Sequence, residues 1–189
     1  MHRATFLLLL ATSFSFAQDH QNMDHQSMDH QSMDHQKMDH QKTDQQKTDQ
    51  QSQDHEAALN QHGDQVMAFS HETTTHHFVL TADGGLIEVR ANDIKDAANL
   101  AQIRGHFQHI ARMFADGNFN APMLVHSQDV PGTSTMARLK NNLHWDMQEI
   151  PRGARLTITA DNREALDAVH DFLRFQIADH KTGDCTAVR

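Results

Sequence analysis

The chain has few residues of several kinds, and each shortage restricts what the protein can be. Cys185 is the single cysteine among 189 residues, so an internal disulfide is excluded and the fold must rest on packing alone. The 16 basic residues are outnumbered by 25 acidic residues, and the net charge of −9 argues against nucleic acid, which requires a basic surface. No apolar run is long enough to cross a bilayer as a helix.

The motifs of common enzyme classes are missing as well. The sequence contains no Gly-rich phosphate loop, no GxSxG and no HExxH, so it singles out no catalytic residue. It also lacks CxxCH, which excludes covalent haem attachment. Metal ions are the partners that the acidic composition favours.

Residues 1–17 have the pattern of a secretory signal peptide. A positive start at Arg3 precedes a short apolar run, and the segment ends with the small-x-Ala sequence Ser15-Phe16-Ala17. We expect cleavage after Ala17 and a periplasmic or secreted product.

A pentapeptide repeats seven times from Gln21 to His55 without a change of register. The copies read QNMDH, QSMDH, QSMDH, QKMDH, QKTDQ, QKTDQ and QSQDH, so four of them carry Met-Asp-His. Residues 18–70 contain scarcely any aliphatic side chain. We therefore expect this segment to be disordered without a ligand, because it cannot offset the entropy of ordering. Its function lies in what its side chains bind, unless it is a solvated linker whose repeats spread by duplication.

Each Met-Asp-His triplet combines ligands that suit copper. Thioether sulfur prefers Cu(I), imidazole binds Cu(I), Cu(II), zinc and nickel, and carboxylate favours harder ions or Cu(II). A zinc or nickel trap would not need methionine at the same spacing as histidine. The predicted ligands of the repeat are Met23, Asp24, His25, Met28, Asp29, His30, Met33, Asp34, His35, Met38, Asp39 and His40.

The repeat resembles the Met/Asp/His-rich segments of periplasmic copper-resistance proteins, in which phrases such as MDH recur in tandem. The resemblance covers residues 20–55 and implies binding of copper, or silver, for tolerance or storage. We expect metal ions as partners, together with a periplasmic copper exporter or oxidase. The fifth and sixth copies depart from the pattern because they lack both methionine and histidine.

Residues 71–183 have the patterning of one α+β domain, and residues 184–189 form a C-terminal tail. Two strands joined at Asp83-Gly84-Gly85 precede an amphipathic helix, and after a connector the same order returns around Pro151-Arg152-Gly153. We predict a four-stranded antiparallel sheet with two helices on one face, in the order ββα-ββα, which is compatible with an internal duplication. The helix caps are expected at Asn92 or Asp93 and at Asp161 or Asn162. This domain resembles uncharacterised exported bacterial domains that carry phrases like FLRFQIADHKTGD, which imply no activity.

The domain itself is rich in histidine. His106, His109 and Met113 are spaced to share one face of the first helix, and two imidazoles with a thioether form a plausible copper site. We expect His126 to complete this site, and also His170 if the two helices lie side by side. His77, His144 and His180 are further distant candidates.

The sequence therefore predicts an exported copper-binding protein that sequesters or delivers copper. Two alternatives stay open at this point. The first is a copper- or haem-dependent periplasmic oxidoreductase whose tail feeds the metal. The second is a structural or partner-binding domain with a non-functional tail.

Overall fold

A computed structural model of the protein describes the backbone of residues 32–189 and the side chains of residues 47–189. The predicted signal peptide and the repeat ligands from Met23 to His30 lie outside the described residues. Met33 to His40 lie on helix α1, but their side chains are also outside. Residues 44–189 form one compact unit, which contains the sheet. Within residues 32–189, no helix is both long and apolar enough to cross a membrane.

The predicted four-stranded antiparallel sheet with helices is confirmed. Its strands lie in the order β1-β2-β4-β3, and every neighbouring pair is antiparallel. The elements are α1 (Ser32–Met67), β1 (Thr74–Thr81), β2 (Gly84–Ala91), α2 (Ala97–Ala115), α3 (Asn120–His126), α4 (Thr133–Arg138), β3 (Leu143–Ile150), β4 (Gly153–Ala160) and α5 (Arg163–Asp179), with 3₁₀ turns at His71–Thr73 and Lys140–Asn142.

The two hairpins are built alike. Each consists of two strands of eight residues, and a two-residue turn joins them. Side chains alternate between the faces of each strand, so Leu80, Val89 and Leu156 point to the same side and are at most 2% exposed. The central pair β2–β4 brings Ile87 opposite Leu156. This equivalence supports the ββα-ββα description.

The long helices cover the apolar face of the sheet in a crossed arrangement. Helix α2 follows the first hairpin but packs mainly on β3 and β4, whereas α5 follows the second hairpin and packs on β1 as well as on the central strands β2 and β4. Phe107 of α2 and Phe172 of α5 are at most 2% exposed in the core. The cap of α5 is Asn162, as predicted, and its side chain accepts from the Ala165 amide at 2.9 Å. The cap of α2 is Asp96 instead of Asn92 or Asp93, because a turn separates β2 from the helix.

Helix α1 changes the expected boundary between the repeat and the domain. We expected residues 18–70 to lack structure, but the helix continues to Met67 and its last turns join the core. Leu59 is 3% exposed, and Phe69, which follows the helix, is 4% exposed. The reason is local composition: residues 56–69 contain apolar side chains that the repeat lacks, so they can bury enough surface to fold. The final repeat copy, ending at His55, thereby adjoins the domain.

The connector between the two halves also contains more structure than expected. We expected only a connector between the two halves, but it contains helices α3 and α4. Val125 and Met136 anchor these helices in the core, while Met123 and Leu124 are exposed. The predicted C-terminal tail runs along the outer edge of β1, where the Phe78 amide donates to Asp184 at 2.9 Å and the Arg189 amide donates to Leu80 O at 3.0 Å. The tail thus protects an edge strand from pairing with another chain.

Glu88 lies on the opposite face of the sheet, held by two arginines. It accepts from Arg155 at 2.6 and 2.9 Å and also from Arg90. Burial alone would raise the pKa of Glu88, but the hydrogen bonds from Arg90 and Arg155 lower it overall. A carboxylate with a lowered pKa stabilises the fold above its unfolded pKa, and this contribution is lost as the pH falls through the folded pKa.

Replacing Glu88 by glutamine is therefore expected to lower the free energy of unfolding by about 1–2 kcal/mol at pH 7. The difference from wild type should shrink as the pH falls below 4.5, the usual carboxyl pKa, because the unfolded chain then takes up a proton that folded Glu88 still excludes, and it is lost once the pH passes below the lowered folded pKa. Urea unfolding at pH 7 and at a pH well below the usual carboxyl pKa measures this difference. Glu149→Gln is the matched control, because its pair with Arg104 is half exposed and should contribute less than about 0.5 kcal/mol. Equal effects of the two substitutions would contradict the role given to Glu88.

Candidate metal-binding site

Five histidines from five parts of the chain meet at one end of the sheet, and we call them the histidine cluster. His76 comes from β1, His106 from α2, His126 from the end of α3 and His180 from the end of α5, while His71 follows α1. Ring contacts connect them: His76 stacks on His71 and His180, and His180 meets the edge of His126. His106 adjoins Phe69. Alternation along β1 explains part of this, because His76 points to the core side whereas His77 points outward to Asp184.

Three members form a compact triangle. The ring centroids of His71 and His76 are 4.9 Å apart, those of His71 and His180 are 5.4 Å apart, and those of His76 and His180 are 5.9 Å apart. The three rings are nearly parallel, with interplanar angles of 21°, 18° and 5°. With the side chains in this orientation, no three His, Cys, Asp or Glu groups in residues 47–189 are placed to hold a metal ion.

His71 is oriented by helix α1. Its Nδ1–H donates to Asp64 Oδ1 at 3.0 Å, and its backbone amide donates to the same oxygen at 3.0 Å. The ring lies where a side chain at Gly63 would otherwise be, since a Cβ there would come within 2.1 Å of His71 Cε1. The opposite nitrogen, Nε2, is buried and has no hydrogen-bond partner. A carboxylate on one imidazole nitrogen with the other nitrogen free is the usual arrangement of a metal-binding histidine.

Burial keeps three of the clustered imidazoles neutral. It lowers the pKa of His76 to about 3, and the neighbouring His71, His106 and His77 lower it further. Burial followed by the His126, His76 and His71 rings lowers the pKa of His180 to about 3. Burial and then His109 lower the pKa of His106 to about 4. A histidine must be unprotonated to bind a metal, so these rings require no deprotonation at neutral pH.

His126 is the fully occupied member of the cluster. Its Nδ1–H donates to Asp179 Oδ2 at 2.6 Å, and its Nε2 lies 3.1 Å from Gln176 Oε1. Asp179 also accepts from His55 Nε2 at 3.0 Å. Burial alone would raise the pKa of Asp179, but these two hydrogen bonds lower it overall, so the carboxylate is ionised. His55 is the last residue of the repeat, and Asp179 therefore connects the repeat to the cluster.

Two cavities adjoin the cluster, and they differ in chemistry. An apolar cavity of about 80 Å³ is lined by Phe78, Phe107 and Phe172 together with His76, His106 and His180. A second, larger cleft of about 290 Å³ is lined by Glu56, Glu72 and Asp179. His71, His76 and His180 border this cleft. A cation thus has a route from an acidic opening to the imidazoles.

The sequence-predicted domain site is only partly brought together. His106 and His126 both line the apolar cavity, as expected. His109 is exposed on α2, and Met113 packs against the core without lining the cavity. The helical spacing placed these residues near one another on α2, but the face that meets the cavity includes only His106. The predicted combination of His106, His109, Met113 and His126 is therefore not a single site.

His170 has a structural role instead of the predicted ligand role. It is 6% exposed, and its Nε2–H donates to Thr81 O at 2.9 Å and to Gly84 O at 3.0 Å. The ring thereby fastens α5 to the turn between β1 and β2. These contacts hold the ring at the turn end of the first hairpin, whereas His76 of the histidine cluster lies near the start of β1.

The sequence patterns did not single out His71 or His76, and they indicated His180 only as a distant candidate. His71 lies at the junction of repeat and domain, and His76 lies next to His77 on strand β1. The sequence signal that could have led to these residues is the high histidine content of the domain, because three of its histidines form the triangle. Comparison with protein families, with curated protein sequences and with solved structures finds no match for this chain.

Proposed function

We propose that this is an exported copper-binding protein that captures copper with its repeat and holds or passes it on through its domain. The observation that carries the proposal is the contact between repeat and cluster: His55, the last repeat residue, reaches Asp179, which also binds His126. A segment of thioethers, carboxylates and imidazoles thus ends beside an imidazole-lined cleft.

The chemistry of the two parts is complementary. The repeat carries methionine, which binds copper without losing a proton, and each of its sites is weak because binding must order the chain. The domain offers buried neutral imidazoles on a folded scaffold, so binding there costs less ordering. Copper, with silver as the related soft ion, is the cargo. Sequestration in the periplasm, or delivery to a copper exporter or oxidase there, is the corresponding role.

The full-length protein is expected to bind several Cu(I) ions per chain when loaded anaerobically. Elemental analysis after gel filtration measures the number of ions, and the loading should be repeated with an equal concentration of zinc. Cu(I) should be retained in the presence of zinc, since zinc gains nothing from the thioethers. A protein that elutes free of copper, or one from which zinc removes most of the copper, would refute the proposed function.

A further inference from the structure

Two buried imidazole nitrogens of the histidine cluster have no hydrogen-bond partner. In the described part of the chain, five buried side-chain N or O atoms lack a hydrogen bond, and two of them are Nε2 of His71 and Nε2 of His76. A buried polar atom without a partner is costly, and in a native protein it calls for an explanation such as an ion. These two nitrogens belong to stacked rings whose centroids are 4.9 Å apart.

We propose that His71, His76 and His180 are the ligands of one Cu(I) ion in the domain. This inference rests on the proposed function and names the domain site within it. The size of the triangle supports the assignment. With metal–nitrogen bonds of about 2.0–2.1 Å, three imidazoles around one ion have ring centroids about 5–5.5 Å apart. The observed separations of 4.9, 5.4 and 5.9 Å span that range. Binding of one ion therefore requires rotation of the rings more than a change in their separation.

Two of the rings have no hydrogen bond that would resist turning. His71 is fixed by Asp64 and serves as the anchor. The Nε2 of His76 has no partner, and the surroundings of His180 are ring contacts with His71, His76, Phe78 and His126. His126 stays outside the ligand set because Asp179 holds its Nδ1–H and its Nε2 lies against the side-chain amide of Gln176.

The surroundings of the site are compatible with a monovalent ion. Histidine binds a metal as the neutral imidazole, and the adjoining cavity is lined by apolar residues including Met67 and Phe78. Three imidazoles also hold zinc in other proteins, so the choice of Cu(I) follows from the proposed function. Acidic residues lie at the cleft instead, where Glu56 pairs with Lys181 and Asp179 pairs with His55, so Glu72 is the carboxylate left to attract an incoming ion.

The test uses the full-length protein loaded anaerobically with Cu(I) and then dialysed against bicinchoninate, which removes weakly held copper. The wild type is expected to retain one ion per chain. His76→Phe and His180→Phe should each lower the affinity for this ion by about tenfold or more, because phenylalanine keeps the ring packing and removes the nitrogen. Urea unfolding of the metal-free His76→Phe variant should show stability equal to or above that of wild type, since a buried nitrogen without a partner is removed.

Two glycines offer a steric test that removes no ligand. Gly63→Ala presses a methyl group on the His71 ring and should weaken retention of the ion. Gly105→Ala is the matched control, because it also lies within a helix but has open space around it, and it should leave retention unchanged. His109→Phe, at an exposed position, should also have no effect.

The outcomes separate this inference from the proposed function. Two results would overturn the three-histidine site and leave the proposed function standing. In the first, the wild type binds several copper ions but retains none after dialysis against bicinchoninate. In the second, the His76, His180 and Gly63 variants all retain one ion as wild type does. No binding of copper by the full-length protein would overturn both. Retention of zinc in place of Cu(I) by the same three histidines would overturn the choice of ion.

Discussion

His170→Ala is expected to lower the free energy of unfolding by about 2–4 kcal/mol while leaving the number of bound copper ions unchanged. The buried ring fills space between α5 and the turn of the first hairpin, and its removal leaves a cavity. It also leaves the carbonyls of Thr81 and Gly84 without their donor. Urea unfolding and copper analysis of the same preparation measure the two quantities.

His144→Ala is the control for this experiment. His144 is 63% exposed and pairs with Asp161 at 2.8 Å, so its loss should change stability by less than about 0.5 kcal/mol. A His170→Ala protein that keeps its stability and loses copper would instead restore the ligand role that the sequence indicated. If the variant loses copper only because it unfolds, then loading it with copper at a temperature below its unfolding transition should restore binding.

Replacement of the four repeat methionines by leucine is expected to remove most of the Cu(I) that the full-length protein binds. Leucine has a similar size and apolar character but no sulfur, so Met23, Met28, Met33 and Met38 lose only the thioether. Zinc binding, which depends on the imidazoles and carboxylates, should be unchanged. Anaerobic Cu(I) titration and zinc titration of the same variant make the comparison.

Two other repeat positions provide a control for the apolar character of the introduced leucines. Thr43 and Thr48 occupy the methionine position in the fifth and sixth copies, so leucine there tests the effect of apolar substitution without removing a thioether. Copper binding should stay at the wild-type level in that variant. If the methionine variant also binds Cu(I) as wild type does, then the thioethers have no part in binding and the repeat is a histidine site or a linker.

The architecture of the domain was accessible from the sequence because its signals are local. Alternation along Thr74–Thr81 and the following turn define a hairpin, and apolar spacing from Ile103 to Phe114 defines a helix. The same signals recur in the second half, so four strands and two long helices could be counted directly. The sequence did not predict the cap at Asp96 or the short helices α3 and α4. In each of these stretches, several neighbouring residues are able to begin a helix.

The site depended on contacts between residues far apart in the chain. His71 and His180 lie at the ends of different helices, and their approach requires that α1 and α5 both end beside the edge strand β1. Helical spacing favoured His109 and Met113 because it reports neighbours on one helix, not the side on which a cavity will form. His170 shows the same limit, since only the packed structure reveals the carbonyls of the β1–β2 turn that occupy it.

The sequence by itself determined the thioether, carboxylate and imidazole content of the repeat, the α+β order of the domain and the abundance of imidazole, because composition and short-range periodicity are sufficient for each. The tertiary structure decided which imidazoles meet, which are already occupied, and that the repeat ends beside them. Burial and ring orientation arise from long-range packing, and no local pattern encodes them.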